Sequence, residues 1–264
     1  MPEGSAMSTK ISGLFHYPVK GLSAQALSSV RLVSGEGFPL DRVYGLARHD
    51  SGYDPVDYKP LPKTRFIVLV KEERLAALST FVDRDTRRLE IRVQGQLVLQ
   101  EELETEVGRN NVSRFFSTMF DLNGGQEPVV AVGGENRFTD ISVHSKAMMN
   151  AISLVNLNSV RDLGARTNAE IDPLRFRANL YFDGLDAFQE LEMLGREIQV
   201  GPARLRIFRR TRRCAATDVD PVTAERNMTI PRSLMQHFGH ADMGVYAEVL
   251  EGGVVEIGSP ISIG

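Results

Sequence analysis

Six arginines crowd the ten residues before the chain's only cysteine: Arg204, Arg206, Arg209, Arg210, Arg212 and Arg213 precede Cys214. Like charges at that density repel one another. They are tolerable when splayed into solvent, paired with acids, or gathered around an anion whose oxygens suit guanidinium forks. A solvated edge strand guarded by charge is the plain alternative. A cysteine beside several arginines is expected to have a lowered pKa, and its thiolate is the form that acts as nucleophile or soft metal ligand. Against this stands the ordinary fate of a lone cysteine, which is to be buried and inert.

After Cys214 come Ala215-Ala216-Thr217-Asp218-Val219-Asp220-Pro221, and the Asp-Pro pair signals a turn. Asp218 and Asp220 would offer two carboxylates from one strand face, but the same residues make an adequate turn and N-cap, the preferred reading. His237 and His240 stand three apart and would share a helix face. Gly239 between them breaks helices, and no third metal ligand is evident. His16 and His144 read as core or hydrogen-bonding histidines rather than acid–base catalysts. The chain has no Walker-type phosphate loop, no G-x-G-x-x-G after a strand and no G-x-S-x-G elbow, which leaves nucleotide-fold and serine-hydrolase chemistry without support.

The elements that must position these residues are mostly strands. Ser29–Val33, Arg42–Ala47 and Leu89–Val93 alternate polar with apolar residues, and Thr64–Val70 looks buried on both faces. Helical patterns occur near Glu72–Ser79 and near Val112–Phe120, the second with Asn110 or Asn111 as N-cap. A glycine and proline cluster follows Asp121 and suggests a boundary between a domain at 10–125 and another at 126–264. Beyond it, Leu154, Leu157, Val160 and Leu163 keep helical spacing, with Ser153 as the predicted cap. Ala178–Phe182, Glu197–Val200 and Arg204–Phe208 read as strands, and Val245–Leu250 with Val254–Ile257 reads as a hairpin around Gly252-Gly253. Many short strands with few helices predict an α+β, predominantly β protein made of barrels or sandwiches with peripheral helices, not a doubly wound sheet.

Composition narrows the function classes. The 264 residues are 42 % hydrophobic and 25 % charged, ordinary for a globular chain with a real core. With 31 lysines and arginines against 34 acidic residues the net charge is −3, so there is no global attraction to nucleic acid or to an anionic membrane, and anion binding needs a local basic patch. One cysteine excludes an internal disulfide framework and any multi-cysteine zinc or iron–sulfur site within the chain. The longest apolar run, Phe66–Val70, is far short of the roughly 20 residues of a spanning helix. Met1–Lys10 does not read as a secretory signal, Met7 would serve as a start, and the cytoplasm is the expected compartment.

Four segments carry a family resemblance. Tyr17-Pro18-Val19-Lys20-Gly21 and Leu40-Asp41-Arg42-Val43-Tyr44-Gly45 resemble the N-terminal β-barrel domain of the MOSC superfamily, named for the molybdenum cofactor sulfurase C-terminal domain. Arg175-Phe176-Arg177-Ala178-Asn179-Leu180 and Arg213–Pro221 resemble the two signature segments of the MOSC domain itself. The likeness runs in order along nearly the whole chain and is similar to that of the mitochondrial amidoxime-reducing components and their bacterial counterparts. It implies a MOSC-type β-barrel domain with an N-terminal β-barrel domain.

What the resemblance implies for the site is a molybdenum–molybdopterin cofactor in a cleft between the domains. Cys214 would be the metal ligand. Lys20, Gly21, Arg42, Arg177 and Arg213 would approach the pterin or its phosphate, and Asn179 would hydrogen-bond the pterin. Thr217 and Asp220 would orient the ligand, and Ser153, at its predicted helix start, would receive phosphate on backbone amides. Asp218 is a proton-donor candidate if it faces the metal. Lys63 and Arg65, in a stretch that departs from the family's Gln-Arg pattern, stand as further candidates. Arg212 departs from the small polar residue found in relatives. The implied activity is an oxidoreductase reducing N-hydroxylated compounds: hydroxylamines, N-hydroxylated bases or amidoximes. The alternative is a cofactor carrier or sulfur-transfer module with a persulfide on Cys214. Some bacterial relatives carry a four-cysteine ferredoxin domain. This chain shows none of it up to Gly264, so a separate flavin, haem or iron–sulfur donor protein is the expected partner, beside a small-molecule substrate.

Overall fold

A computed structural model describes residues 9–122 and 124–264. Met7, and Asn123 within the suggested boundary, lie outside the described residues. The molecule is α+β and predominantly β. Its largest sheet has eight strands in the order Ile261–Ile263, Glu197–Val200, Ala203–Arg212, Asp242–Glu251, Ile152–Asn156, Leu180–Asp183, Lys10–His16 and Gln25–Leu27. All neighbours are antiparallel except Ile152–Asn156 beside Leu180–Asp183, which run parallel and are joined through the helix Leu157–Thr167. Strand alternation sorts the side chains: Ala203, Leu205 and Ile207 turn into the core, and Arg204 and Arg206 turn away from it. With Ile11, Leu14, Ile152, Leu154, Leu180, Val245 and Ala247 they form the larger core.

The second core lies under a meander of Leu78–Val82, Arg88–Val93 and Gln96–Glu102, beside the pair Tyr44–Ala47 and Val129–Val132. The helix Glu106–Met119 seals it with Val112 and Phe116, and Phe120 follows one turn later, a four-residue spacing that puts all three on one face. The two halves interlock. Lys10–His16 pairs into the sheet formed mainly by residues beyond 150, and Ser29–Leu32 pairs with Gly253–Glu256 near the other end of the chain.

Several sequence expectations need correction. Gly253–Glu256 is not the return strand of a hairpin. Both edges of Asp242–Glu251 are already taken, by Ala203–Arg212 and by Ile152–Asn156, so the chain turns at Gly252 onto Ser29–Leu32. A Cβ on Gly252 would lie 2.5 Å from the Leu32 carbonyl oxygen. Phe66–Leu69 are buried as expected, but the stretch is a short 3-10 turn, Lys63–Arg65, followed by one bridge from Phe66 to Ala47. The helical pattern near Glu72 shrinks to a 3-10 segment Glu73–Ala77, because Leu78 already starts a strand. Thr105, not an asparagine, caps the helix Glu106–Met119, its Oγ1 accepting from the Gly108 N–H at 3.0 Å. Ser153 is no helix start. It sits inside the strand Ile152–Asn156, buried on both faces, and the helix begins at Leu157 under Asn156 as cap.

Candidate functional site

Where the two cores meet, a cleft of about 280 Å³ opens, near the lower bound of roughly 300 Å³ for small-molecule pockets. One wall is the loop after Lys10–His16. Lys20 is 4 % exposed, and its Nζ donates to the Phe138 carbonyl at 2.8 Å and to the Asp140 carboxylate. Burial pulls the Lys20 pKa down, and Asp140 restores part of it. Loss of water likewise works against the Asp140 charge, but Lys20, Lys63 and Arg42 outweigh it and hold that carboxyl well below the usual range. Gly21, at φ +88°, brings the backbone so close that a Cβ would meet the Ile67 carbonyl oxygen at 3.2 Å.

Arg42 and Arg177 both adopt left-handed backbone, at φ 52° and 51°, which costs on the order of 1 kcal/mol per residue for a side chain with a Cβ. The strain is met by tertiary contacts. The Arg42 N–H donates to the Tyr17 carbonyl at 2.8 Å, and its Nη2 donates to the Arg177 carbonyl at 2.9 Å. Both guanidiniums stack on the Tyr17 ring, 4.7 and 4.4 Å from its centroid. Burial lowers Arg177 to about 10, with Tyr17 opposing the fall. It is still a cation at neutral pH, yet one of its terminal nitrogens is buried with no partner among the described residues.

Cys214 also lines the cleft, partly exposed, at the end of the strand Ala203–Arg212. Its neighbours brace it. Thr217 donates from Oγ1 at 2.9 Å and from N–H at 3.0 Å to the Cys214 carbonyl, closing a 3-10 turn over Ala215–Asp218. Arg213 spends its guanidinium on the Met243 carbonyl at 2.8 Å and the Phe176 carbonyl at 2.7 Å, so it lines the cleft as a brace. Lys63 lies on the cleft with Asp140 and the Cys214 sulfur around it. Partial burial disfavours its charge, but these two groups outweigh that and raise its pKa. Burial also raises the Tyr246 phenol, which shares the cleft.

The structure therefore brings Lys20, Gly21, Arg42, Ser153, Arg177, Asn179, Arg213, Cys214 and Thr217 to one cleft. Ser153 and Asn179 line it in a role unlike the expected one. Asn179 Oδ1 accepts from both the N–H and the Oγ of Ser153, at 3.0 and 2.9 Å, so Ser153 fastens two strands and offers no helix-end amides. Asp218 is not brought to the cleft. Its carboxylate accepts the Ile230 N–H at 2.7 Å, serving the start of the helix Ile230–Phe238. Arg65 is exposed and donates to the Asp50 carbonyl, away from the cleft. His16 is buried with Nδ1 3.2 Å from the Pro39 carbonyl, and His144 is exposed. Among the described residues no group of three His, Cys, Asp or Glu side chains is arranged to hold a metal, so the His237 and His240 pair gains no third ligand.

Two arginines escaped the sequence reading. Arg175, 4 % exposed, donates to the Asp218 carbonyl at 3.1 Å, to Asp220 at 2.6 Å and to Asn227 at 2.8 Å, locking the turn after the cysteine. Arg226 donates to the Ala215 carbonyl and to the Leu69 carbonyl, both at 2.8 Å, tying that turn to the other core. Arg175 was visible inside its motif without a role. Nothing local marks Arg226. The edge-strand explanation of the arginine run fails, since Ala203–Arg212 is flanked by a strand on each side.

Residues 8–129 match the MOSC N-terminal beta barrel domain and residues 140–262 match the MOSC domain. The chain belongs to the MOSC superfamily. It is 23 % identical over 277 aligned residues to the molybdenum cofactor sulfurase of Bos taurus, an alignment covering 89 % of this chain, which spans about 30 % of that protein's length. Among solved structures it is similar to the YuaD protein of Bacillus subtilis, with 14 % identity, a TM-score of 0.43 and 97 % and 94 % of the two chains covered. It is also similar to YiiM of Geobacillus stearothermophilus, with 21 % identity, a TM-score of 0.35 and 43 % and 53 % covered. Among the described residues no helix is long and apolar enough to cross a membrane.

Proposed function

We propose that this protein binds a molybdenum–molybdopterin cofactor in the cleft and reduces N-hydroxylated compounds there. The observation that carries the reading is one soft thiol and a cluster of buried cations lining a single cavity, with a buried donor on Arg177 that has no partner among the described residues. A buried donor left without a partner costs about 1–3 kcal/mol, so this atom fits a ligand rich in acceptor oxygens. The residues present suit the cofactor: Cys214 as soft thiolate ligand, and Lys20, Arg42 and Arg177 around its phosphate.

When bound, the cofactor supplies the two electrons that split the N–O bond. The overall balance is R–NH–OH plus two electrons and two protons giving R–NH2 and water. The chain's own groups hold, orient and protonate. Arg213, Thr217, Arg175 and Arg226 fix Cys214 and its turn from several sides. Lys63 and the Tyr246 phenol keep their protons at neutral pH and are the groups from which the departing oxygen takes its proton. Asp218, engaged elsewhere, has no part in this step. Electrons come from a separate donor protein.

A second reading, a sulfur carrier with a persulfide on Cys214, is favoured by the partial exposure of that sulfur and by the sulfurase relative. Elemental analysis of protein made in a host with an intact cofactor pathway separates the two. Stoichiometric molybdenum that disappears in Cys214→Ser, together with turnover of benzamidoxime by chemically reduced protein, supports the reductase. Sulfane sulfur without molybdenum overturns it in favour of the carrier.

A further inference from the structure

The six arginines of the run do not share one fate. Arg204 is matched by Glu197 and Glu251, Arg206 by Glu248 and Arg210 by Glu192. Arg213 is spent on two backbone carbonyls. Arg209 and Arg212 remain. Both are exposed, both line the cleft that holds Cys214, and among the described residues neither has an acidic partner; Arg209 Nη1 donates to the Met148 sulfur, at 3.7 Å.

Arg212 keeps the outward parity of Arg204 and Arg206, whereas Arg209 lies next to an irregularity in pairing with Asp242–Glu251, between Ile207 and Arg209, and a second irregularity falls between Arg210 and Arg212. A bulge re-aims the side chains beside it and interrupts strict alternation. Arg209 is exposed where the pattern set by Ala203, Leu205 and Ile207 would have turned it into the core. Between the two arginines, Thr211 is 3 % exposed, lines the same cleft, and has a buried hydroxyl with no partner among the described residues. Among the buried cations of the cleft, by contrast, Lys20 and Arg42 are already matched by Asp140 and Asp41.

We propose that Arg209, Arg212 and the Thr211 hydroxyl form an anion subsite at the mouth of the cleft, and that the substrates preferred by this protein carry a carboxylate beside the N-hydroxylated group. Guanidinium forks match the planar carboxylate, and Thr211 adds one donor. The naming of an N-hydroxylated substrate rests on the reductase reading; the carboxylate subsite rests on the arginines alone.

The test is equilibrium binding of 4-carboxybenzamidoxime and of neutral benzamidoxime to the full-length protein as purified, without reductant, followed by calorimetry. The carboxylated probe is expected to bind about tenfold tighter at low salt, and the preference should shrink several-fold between about 0.05 M and about 0.5 M salt, because the arginines are exposed. In Arg209→Gln/Arg212→Gln the two probes should bind equally while molybdenum content stays at the wild-type level. Equal binding of the two probes by wild-type protein overturns the subsite, as does a preference that survives the double substitution. Molybdenum lost together with the preference assigns the arginines to the cofactor and overturns it too. If the double variant fails to fold, the salt dependence in wild-type protein decides by itself. A preference that persists when neither probe is reduced in the presence of reductant supports the subsite and sinks the reductase reading.

Discussion

Arg175→Ala tests whether the turn behind Cys214 is held from beneath. Arg175 is almost wholly buried and reaches three partners, the Asp220 carboxylate, the Asn227 side chain and the Asp218 carbonyl. Removing one member of a buried ion pair costs about 3–5 kcal/mol when the other is left unpaired. Asp220 is not abandoned here. It remains one-fifth exposed and still accepts the Val222 and Thr223 N–H groups at 2.9 Å. The expected loss is therefore lower, about 2–4 kcal/mol for the charge-assisted bonds and the packing of a buried side chain. In a chain of this size that corresponds to roughly 4–12 °C in Tm. The local consequence is more specific: the turn Ala215–Asp218 loosens, and Cys214 should react several-fold faster with a thiol reagent at a temperature where the fold is intact. Arg175→Lys should recover little, since one ammonium cannot span three acceptors in the plane of a guanidinium. A Tm within about 1 °C of wild type, with unchanged labelling of Cys214, would refute the role given to Arg175.

Glu190 is fully buried, and its carboxylate accepts Ser159 Oγ at 2.8 Å and Asn156 Nδ2 at 3.3 Å. Burial raises its pKa despite these bonds, so the folded state binds the proton more tightly than the unfolded state does, and stability falls as pH rises above the usual glutamate range. Glu190→Gln should raise stability at neutral pH by about 1 kcal/mol and flatten that slope in denaturant titrations; an unchanged slope argues against it. Gly244 is at φ +77°, and a Cβ there would lie 2.3 Å from the Leu154 carbonyl oxygen, so Gly244→Ala should cost about 3 kcal/mol or more by urea titration, and a neutral result would contradict the strand packing. Tyr246→Phe should cut turnover of benzamidoxime by about 100-fold with molybdenum retained; wild-type turnover would leave Lys63 as the proton source.

The parts of this molecule legible from sequence are those whose cause is local. Strand periodicity placed Ser29–Leu32, Arg88–Val93 and Glu197–Val200, because alternation is a property of the strand itself. Partners were not legible in the same way. Val254 and Val255 alternate as a strand should, but their pairing with Val30 and Arg31 is set by which edges remain free once the large sheet is assembled. Leu154, Leu157, Val160 and Leu163 gave helical spacing because a strand buried on both faces runs directly into a helix, and periodicity cannot separate the two. The cleft residues were reached through family motifs. Their roles were not, since whether Arg213 or Asn179 points a donor at a ligand or at a backbone carbonyl depends on what packs behind it.

The cleft owes its shape to both halves at once. Lys20 and Arg42 come from the N-terminal half and Arg177 and Cys214 from the C-terminal half, and the halves are joined by more than contact. Tyr17 packs beneath both Arg42 and Arg177, Lys10–His16 is a strand of the other half's sheet, and Arg226 and Val219 carry the cysteine turn into the smaller core. Opening the cleft by a hinge would therefore break strand pairs and an arginine clamp together. A ligand held between these walls gains from a site already built before it arrives, which is the condition under which buried cations and two left-handed arginines are sustained by the fold itself. Separately produced halves should then fail to assemble the cleft: residues 10–125 leave the strand Lys10–His16 without its sheet, and residues 126–264 lose one of the two strands that Leu180–Asp183 pairs with. Mixing the two pieces and measuring molybdenum uptake checks this, and uptake by the C-terminal piece alone would show that the thiol and Arg177 suffice.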